Sequence, residues 1–214
     1  EARTCVEAGA HQVSAYPLIS FHHTRPTWVP DLFTHWNRDR SHRQLRDLCH
    51  ELGLRQTSVW SFAKPGIEPY STVTLDTYRG FGAGAATRTE GAFWFHTFDV
   101  AAYLAPEGAR PALALVGDDR FFRAHWLYWK IYGLRIPGAA YAQQFGSSPE
   151  QDFPRLFRWM RLLGLARRDG QDWAITSWGA DWIHRVQQLF SLSWIDLFWS
   201  ACMKEAWPKE IKLT

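Results

Sequence analysis

The stretch "YRGFGAGAATRTEG", Tyr78 to Gly91, constrains the chain more than any other. Gly80, Gly82 and Gly84 alternate with Phe81 and Ala83, and small residues continue to Thr87. So many missing side chains predict a backbone that turns tightly or lets another group approach closely. The pattern is G-x-G-x-G, whereas a dinucleotide fingerprint requires G-x-G-x-x-G between a strand and a helix. A phosphate loop is excluded too, because its lysine and Ser/Thr are missing.

Around this loop the chain reads as alternating helices and strands. "EARTCVEAGA" has helical spacing with Gly9 as its stop, and "HQVSAYPLISF" follows as a strand. From about Asp39 to Leu52 an amphipathic helix is predicted, with Leu45, Leu48, Cys49 and Leu52 on one face. Gly53 ends it and "LRQTSVWSFAK" reads as the next strand, a β-α-β unit with parallel strands. After the glycine loop come "GAFWFHTF", a short strand, and "DVAAYLA", a short helix capped by Asp99.

The texture changes around "PEGARP", which predicts a division into residues 1–105 and 106–214. The second part is mostly helical. Phe122, Trp126 and Trp129 form an aromatic stripe, read first as core packing. Then come a helix, Gly164, a strand, a turn at Asp169-Gly170, a strand, and a helix capped at Thr176 or Ser177. That order is the plan of a winged helix.

Composition narrows the chemistry. Nearly half of the 214 residues are apolar and 13 are Trp, which predicts a heavily packed globular chain. The formal net charge of +3 is too small to imply nucleic acid by itself. Cys5, Cys49 and Cys202 offer no C-x-x-C pair or disulfide framework, so each is read as a small buried hydrophobe in a reducing compartment. With no membrane-length apolar run and no signal peptide, the expectation is cytoplasmic. His22 with His23, His42, His50 and His96 show no metal-ligand spacing, and Asp76, Glu68 and Glu90 beside the loop read as solvated. No catalytic residue and no metal ligand is assigned. Lys64, at a strand end, and His22 and His23, after the preceding strand, would meet the glycine loop at one rim if the β-α-β reading holds.

The segments "VSAYPLISF", "SVWSFAKPG", "YSTVTLDTYRGFGAGAATR", "FWFHTF" and the closing winged-helix region resemble radical S-adenosylmethionine enzymes. The branch they resemble is the oxygen-independent coproporphyrinogen III oxidase-like one, over nearly the whole chain. The resemblance implies an α/β fold: the last β/α units of a partial radical-SAM (β/α) barrel, then a mostly helical, winged-helix-like C-terminal cover domain. It implies S-adenosylmethionine and a [4Fe-4S] cluster in a full-length parent, the cluster held by C-x3-C-x2-C. That motif is absent here, so the expectation is a C-terminal portion whose partner is the missing N-terminal barrel half. Contacts to S-adenosylmethionine carry over to Ile19 and to Ala86, with Gly82, Gly84 and Ala85 beside it as backbone contacts. The implied activity is oxidative decarboxylation of propionate side chains on a tetrapyrrole in haem biosynthesis. A haem-cleaving relative, or a haem-carrying one using Trp126 and Trp129, is the first alternative.

The second alternative is a winged-helix nucleic-acid module. Arg155, Arg158, Arg161, Arg167 and Arg168 favour it. Its candidate recognition helix, "SWGADWIHRVQQLF", carries only Arg185 as a firm cation, so no nucleic-acid partner is expected, and no membrane.

Overall fold

The computed structural model describes residues 1–16, 35–68, 70–71, 74–115, 117–190 and 196–209. Contacts gather the chain into two compact units, each assembled from separated stretches. The first takes Glu1–Leu18, Trp28–Thr74 and His125–Gln187; the second takes Ile19–Thr27, Leu75–Ala124 and Gln188–Thr214.

The chain enters the first unit through α1 (Ala2–Glu7), β1 (Gln12–Ser14), α2 (His35–Glu51), β2 (Arg55–Ser58) and β3 (Ser61–Ala63). Gly9 and Gly53 stop the two helices in the left-handed region, at φ of 93° and 78°. The segment read as one strand, "LRQTSVWSFAK", is a hairpin. Its two arms, β2 and β3, pair antiparallel, and β1 pairs with β3, so the sheet order is β1-β3-β2. This corrects the parallel β-α-β expectation. The reversal at Val59 and Trp60 contains no Gly, Pro, Asn or Asp, and tertiary bonds hold it instead. The Val59 N–H donates to the Tyr132 carbonyl at 3.0 Å, and the Trp60 carbonyl accepts from Ala15 at 2.8 Å.

The second unit holds β4 (Ala86–Arg88), β5 (Phe93–His96), α3 (Val100–Leu104) and β6 (Pro111–Leu115), in a sheet ordered β4-β5-β6. Asp99 caps α3 as the sequence predicts, accepting from the Ala102 N–H at 2.9 Å.

From α4 (Asp119–Tyr132) the chain returns to the first unit. There follow β7 (Arg135–Ile136), α5 (Gly138–Phe145), α6 (Pro149–Asp152), α7 (Pro154–Leu162), β8 (Ala166–Asp169), β9 (Asp172–Ile175) and α8 (Ser177–Phe190). The Asp169-Gly170 hairpin forms as read, with Gly170 at φ 61° and Asp169 opposite Asp172. Thr176 Oγ1 accepts from the Gly179 N–H at 3.0 Å and so starts α8. This sheet is ordered β7-β9-β8, so the first unit uses one plan twice: a short strand pairs with the far arm of a later hairpin. In the second unit α9 (Asp196–Lys204) sets Phe198 4.6 Å from Phe95.

All strand pairings among the described residues are antiparallel, in three open sheets, and they close no barrel. Each half of the first unit has its own apolar cluster. Cys49, Leu54 and Phe62 form the smaller one; Trp126, Leu127, Ile136, Tyr141, Phe157, Met160, Ala166 and Trp173 form the larger. Trp126 of the aromatic stripe is therefore core. Its ring lies 5.3 Å from Tyr141, and its buried Nε1 has no hydrogen-bond partner among the described residues.

This asymmetry is testable in urea denaturation. Trp126→Ala should cost about 3–5 kcal/mol through the cavity it leaves. Trp126→Phe should cost markedly less, because it also removes a buried donor that bonds to nothing.

Candidate functional site

Two features on different units carry polar or conformational information: the glycine loop, in the second, and a buried ionic cluster, in the first.

The glycine loop is tied at its base by Tyr78 and Arg88, whose N–H groups donate to each other's carbonyls at 2.9 and 2.8 Å. Arg88 is buried, and its guanidinium reaches the Leu75 carbonyl at 3.4 Å. Burial pushes its pKa below the ordinary guanidinium value, against the pull of Tyr78 and Asp76. Above this base the chain folds onto its own exit. A Cβ on Gly80 would stand 2.2 Å from the Ala86 carbonyl oxygen, so only glycine fits there. Gly82 and Gly84 turn through φ of 110° and 71°. The space a Gly82 side chain would take is open, and Phe81 projects into solvent at 81 % exposure.

The three glycine N–H groups are already engaged. Gly80 donates to Thr87 Oγ1 at 3.1 Å, Gly82 to the Tyr103 hydroxyl at 3.1 Å, and Gly84 to the Thr97 carbonyl at 2.7 Å. The loop is thus no nest of free donors for an anion. Of the three glycines only Gly82 faces open space; the Phe98 ring would meet a side chain on Gly84 at 3.4 Å. Gly82, Gly84, Ala85 and Ala86 lie along this turn, with Ala86 opening β4. Ile19, His22 and His23 fall outside the described residues.

The ionic cluster escaped sequence reading. α2 presents Asp39, His42 and Arg46, while α8 presents Asp181, His184 and Arg185. The His42 and His184 rings stack, with centroids 4.3 Å apart and planes 11° from parallel. Arg185 Nη2 lies 2.6 Å from Asp39 Oδ2, and Arg46 Nη1 lies 2.7 Å from Asp181 Oδ1. Trp60 Nε1 donates to His184 Nδ1 at 2.8 Å. An indole N–H can only donate, so His184 Nδ1 carries a lone pair and the ring is neutral. The carbonyl of Val59 can only accept, so His42 Nε2 donates to it, at 2.8 Å. Burial, then the neighbouring His42, lowers the His184 pKa from 6.5 to about 4. Burial pulls the Asp181 carboxyl up, but His42 and Arg46 outweigh it and hold the group below the usual carboxylate range. The pattern Asp-x-x-His-x-x-x-Arg on α2 was the available signal; its partners stand more than a hundred positions away.

The thiols carry little chemistry. Cys5 is exposed, while Cys49 and Cys202 are buried, which corrects the expectation for Cys5. Burial raises the Cys49 pKa and takes that of Cys202 to about 11. No group of three His, Cys, Asp or Glu side chains among the described residues is placed to hold a metal ion. Trp129 lines a cleft of about 260 Å³ in the first unit with Ser58, Ser61, Thr74 and Lys130, smaller than sites that take drug-sized ligands. No described helix is long and apolar enough to cross a membrane.

No protein-family model matches the chain. No curated protein sequence matches it either. Among solved structures, coproporphyrinogen III oxidase (HemN) of Escherichia coli, a radical SAM enzyme, is similar with a TM-score of 0.58 and 14% sequence identity. The likeness covers 88% of this chain and 50% of that one, so the chain spans half the length of the oxidase. The relation is one of fold: a mixed α/β chain built as part of that enzyme is built.

Two outcomes are expected from this geometry. Gly80→Ala should destabilise the second unit by about 1–3 kcal/mol by forcing backbone apart, while Gly91→Ala, with open space around it, should be near neutral. Thermal melts of both variants decide this. For His184, the unfolded chain takes up a proton below pH 6.5 that the folded chain refuses until about pH 4. Stability should therefore fall by about 3 kcal/mol as pH drops through that window and level off below it. In pH-dependent urea midpoints, His184→Gln should flatten the slope between those limits; an unchanged slope would refute the assignment.

Proposed function

We propose that this chain is part of a radical S-adenosylmethionine oxidoreductase acting on a tetrapyrrole, in the manner of coproporphyrinogen III oxidase. The observation that carries the reading is the fold likeness to that enzyme over 88% of the chain. The glycine loop is compatible with it, because the space beside Gly82 is open.

In this reading Ile19, Gly82, Gly84, Ala85 and Ala86 contact S-adenosylmethionine through backbone and small side chains. The glycine N–H groups are spent internally, so these contacts discriminate by shape and not by hydrogen bonding. The cofactor supplies the radical chemistry when bound, and the protein orients it and excludes water. An iron–sulfur cluster does not fit this chain's own residues, because the described thiols stand in no group able to bind metal. Its ligands would come from a companion barrel segment. The cover-domain role falls to the winged-helix-like part, supported by the strand order β7-β9-β8 and the hairpin that follows α7.

The decisive experiment extends the reading frame upstream of Glu1. A C-x3-C-x2-C motif should appear, and the full protein, reconstituted anaerobically with iron and sulfide, should release 5′-deoxyadenosine and decarboxylate coproporphyrinogen III. Gly82→Ala, which adds a methyl group at a φ of 110° that disfavours any side chain, should raise KM for S-adenosylmethionine about tenfold in protein that circular dichroism shows to be folded. A frame without the three cysteines, or a reconstituted protein that yields no 5′-deoxyadenosine, overturns the reading.

A further inference from the structure

Several arginines of this chain are committed to carboxylates. Arg46 and Arg185 are tied to Asp181 and Asp39, Arg135 to Asp172, and Arg168 to Glu150. Arg155, Arg158 and Arg161 on α7 and Arg167 on β8 are exposed and make no ion pair among the described residues. The helix that precedes the hairpin is α7, not the following helix α8 from which the basic residues looked scarce. The one firm cation of α8, Arg185, is spent on Asp39.

On α7 the spacing sorts the side chains. Phe157 and Met160 point into the core. Arg155, Arg158, Trp159 and Leu162, spaced at i, i+3, i+4 and i+7, occupy the opposite face. Trp159 stands 58 % exposed among them. An exposed indole beside guanidinium groups without ion pairs suits a partner that carries both phosphates and an unstacked aromatic ring. Phosphates neutralise the arginines, and an unstacked base covers the indole. A duplex hides its base faces and leaves the indole nothing to stack on. Nearby carboxylates do not compete: Glu150 is occupied by Arg168 and Trp173, and Asp172 by Arg135.

We propose that the exposed face of α7, with Arg167 of the adjoining hairpin, is a docking surface for single-stranded nucleic acid, with Trp159 as its stacking platform. The partner lies along Arg155 and Arg158 with its phosphates against the guanidinium groups, Arg161 at the edge of the face, and one base against the indole. This surface belongs to the first unit alone and does not depend on the glycine loop.

The test titrates the 214-residue chain with oligothymidylate of about 15 nucleotides, following tryptophan fluorescence at about 50 and about 200 mM salt. Quenching is expected, with log K falling against log salt at a slope of about −3 for four neutralised phosphates. Arg158→Gln with Arg161→Gln should roughly halve that slope. Trp159→Ala should weaken binding about tenfold and remove the quench, whereas Trp159→Phe should retain most of the affinity. Arg79→Gln, exposed in the other unit, should change nothing, and circular dichroism checks that each variant folds. The proposal is overturned by flat titrations at the lower salt or by full affinity in Trp159→Ala. Tighter binding to a duplex of the same length, or to phosphatidylserine-containing vesicles, overturns it as well.

Discussion

The first unit depends on the clasp between α2 and α8. Among the described residues its opening half has a small apolar core centred on Cys49, Leu54 and Phe62, with Val6, Val13 and Leu45 packed against it. Its ties to the later elements are both polar and aromatic: two ion pairs bracket a stacked pair of imidazoles, and Trp60 of the first hairpin bonds to the α8 ring and packs edge-on to Tyr132 of α4 at 5.8 Å. Buried charges are tolerated only when paired. Asp39 and Asp181 therefore fix not merely that α2 meets α8 but at which register, since a one-residue slip on either helix would strand a carboxylate.

How much of this was legible depends on the length scale of the cause. Local causes read well: Asp99 capping α3, Thr176 starting α8, Gly9 and Gly53 stopping helices, and Asp169-Gly170 turning a hairpin all act within a few residues. Long-range causes did not. The Val59-Trp60 reversal has no turn chemistry of its own and is held by Tyr132 and Ala15, so the sequence resembles one continuous strand. That single misreading turned an antiparallel sheet into an expected parallel β/α unit. The His42–His184 stack was invisible for the same reason, with its two members on helices remote in the chain.

At the glycine loop the structure separates the glycines by what surrounds them. Gly80 is closed: the Ala86 carbonyl leaves no room for a side chain, which is a folding constraint. Gly82 is open, and no neighbour explains the absence of a side chain on that side. Its positive φ alone would favour glycine. Gly80 is thus fixed by close packing and Gly82 by its backbone conformation.

Charge repeats the lesson at the scale of the molecule. A formal charge of +3 looks featureless, yet the charges are not spread evenly. Carboxylates are drawn to cations: Asp39 and Asp181 at the clasp, and Asp172 to the exposed Arg135 of β7. Each carboxylate so paired is one fewer to neutralise the rest of the surface. Arg155 and Arg158 lie on the side of α7 opposite its core residues, two of several exposed arginines that the fold leaves without an ion pair among the described residues. Net charge averages this away, because it counts charges without asking which of them the fold has already spent.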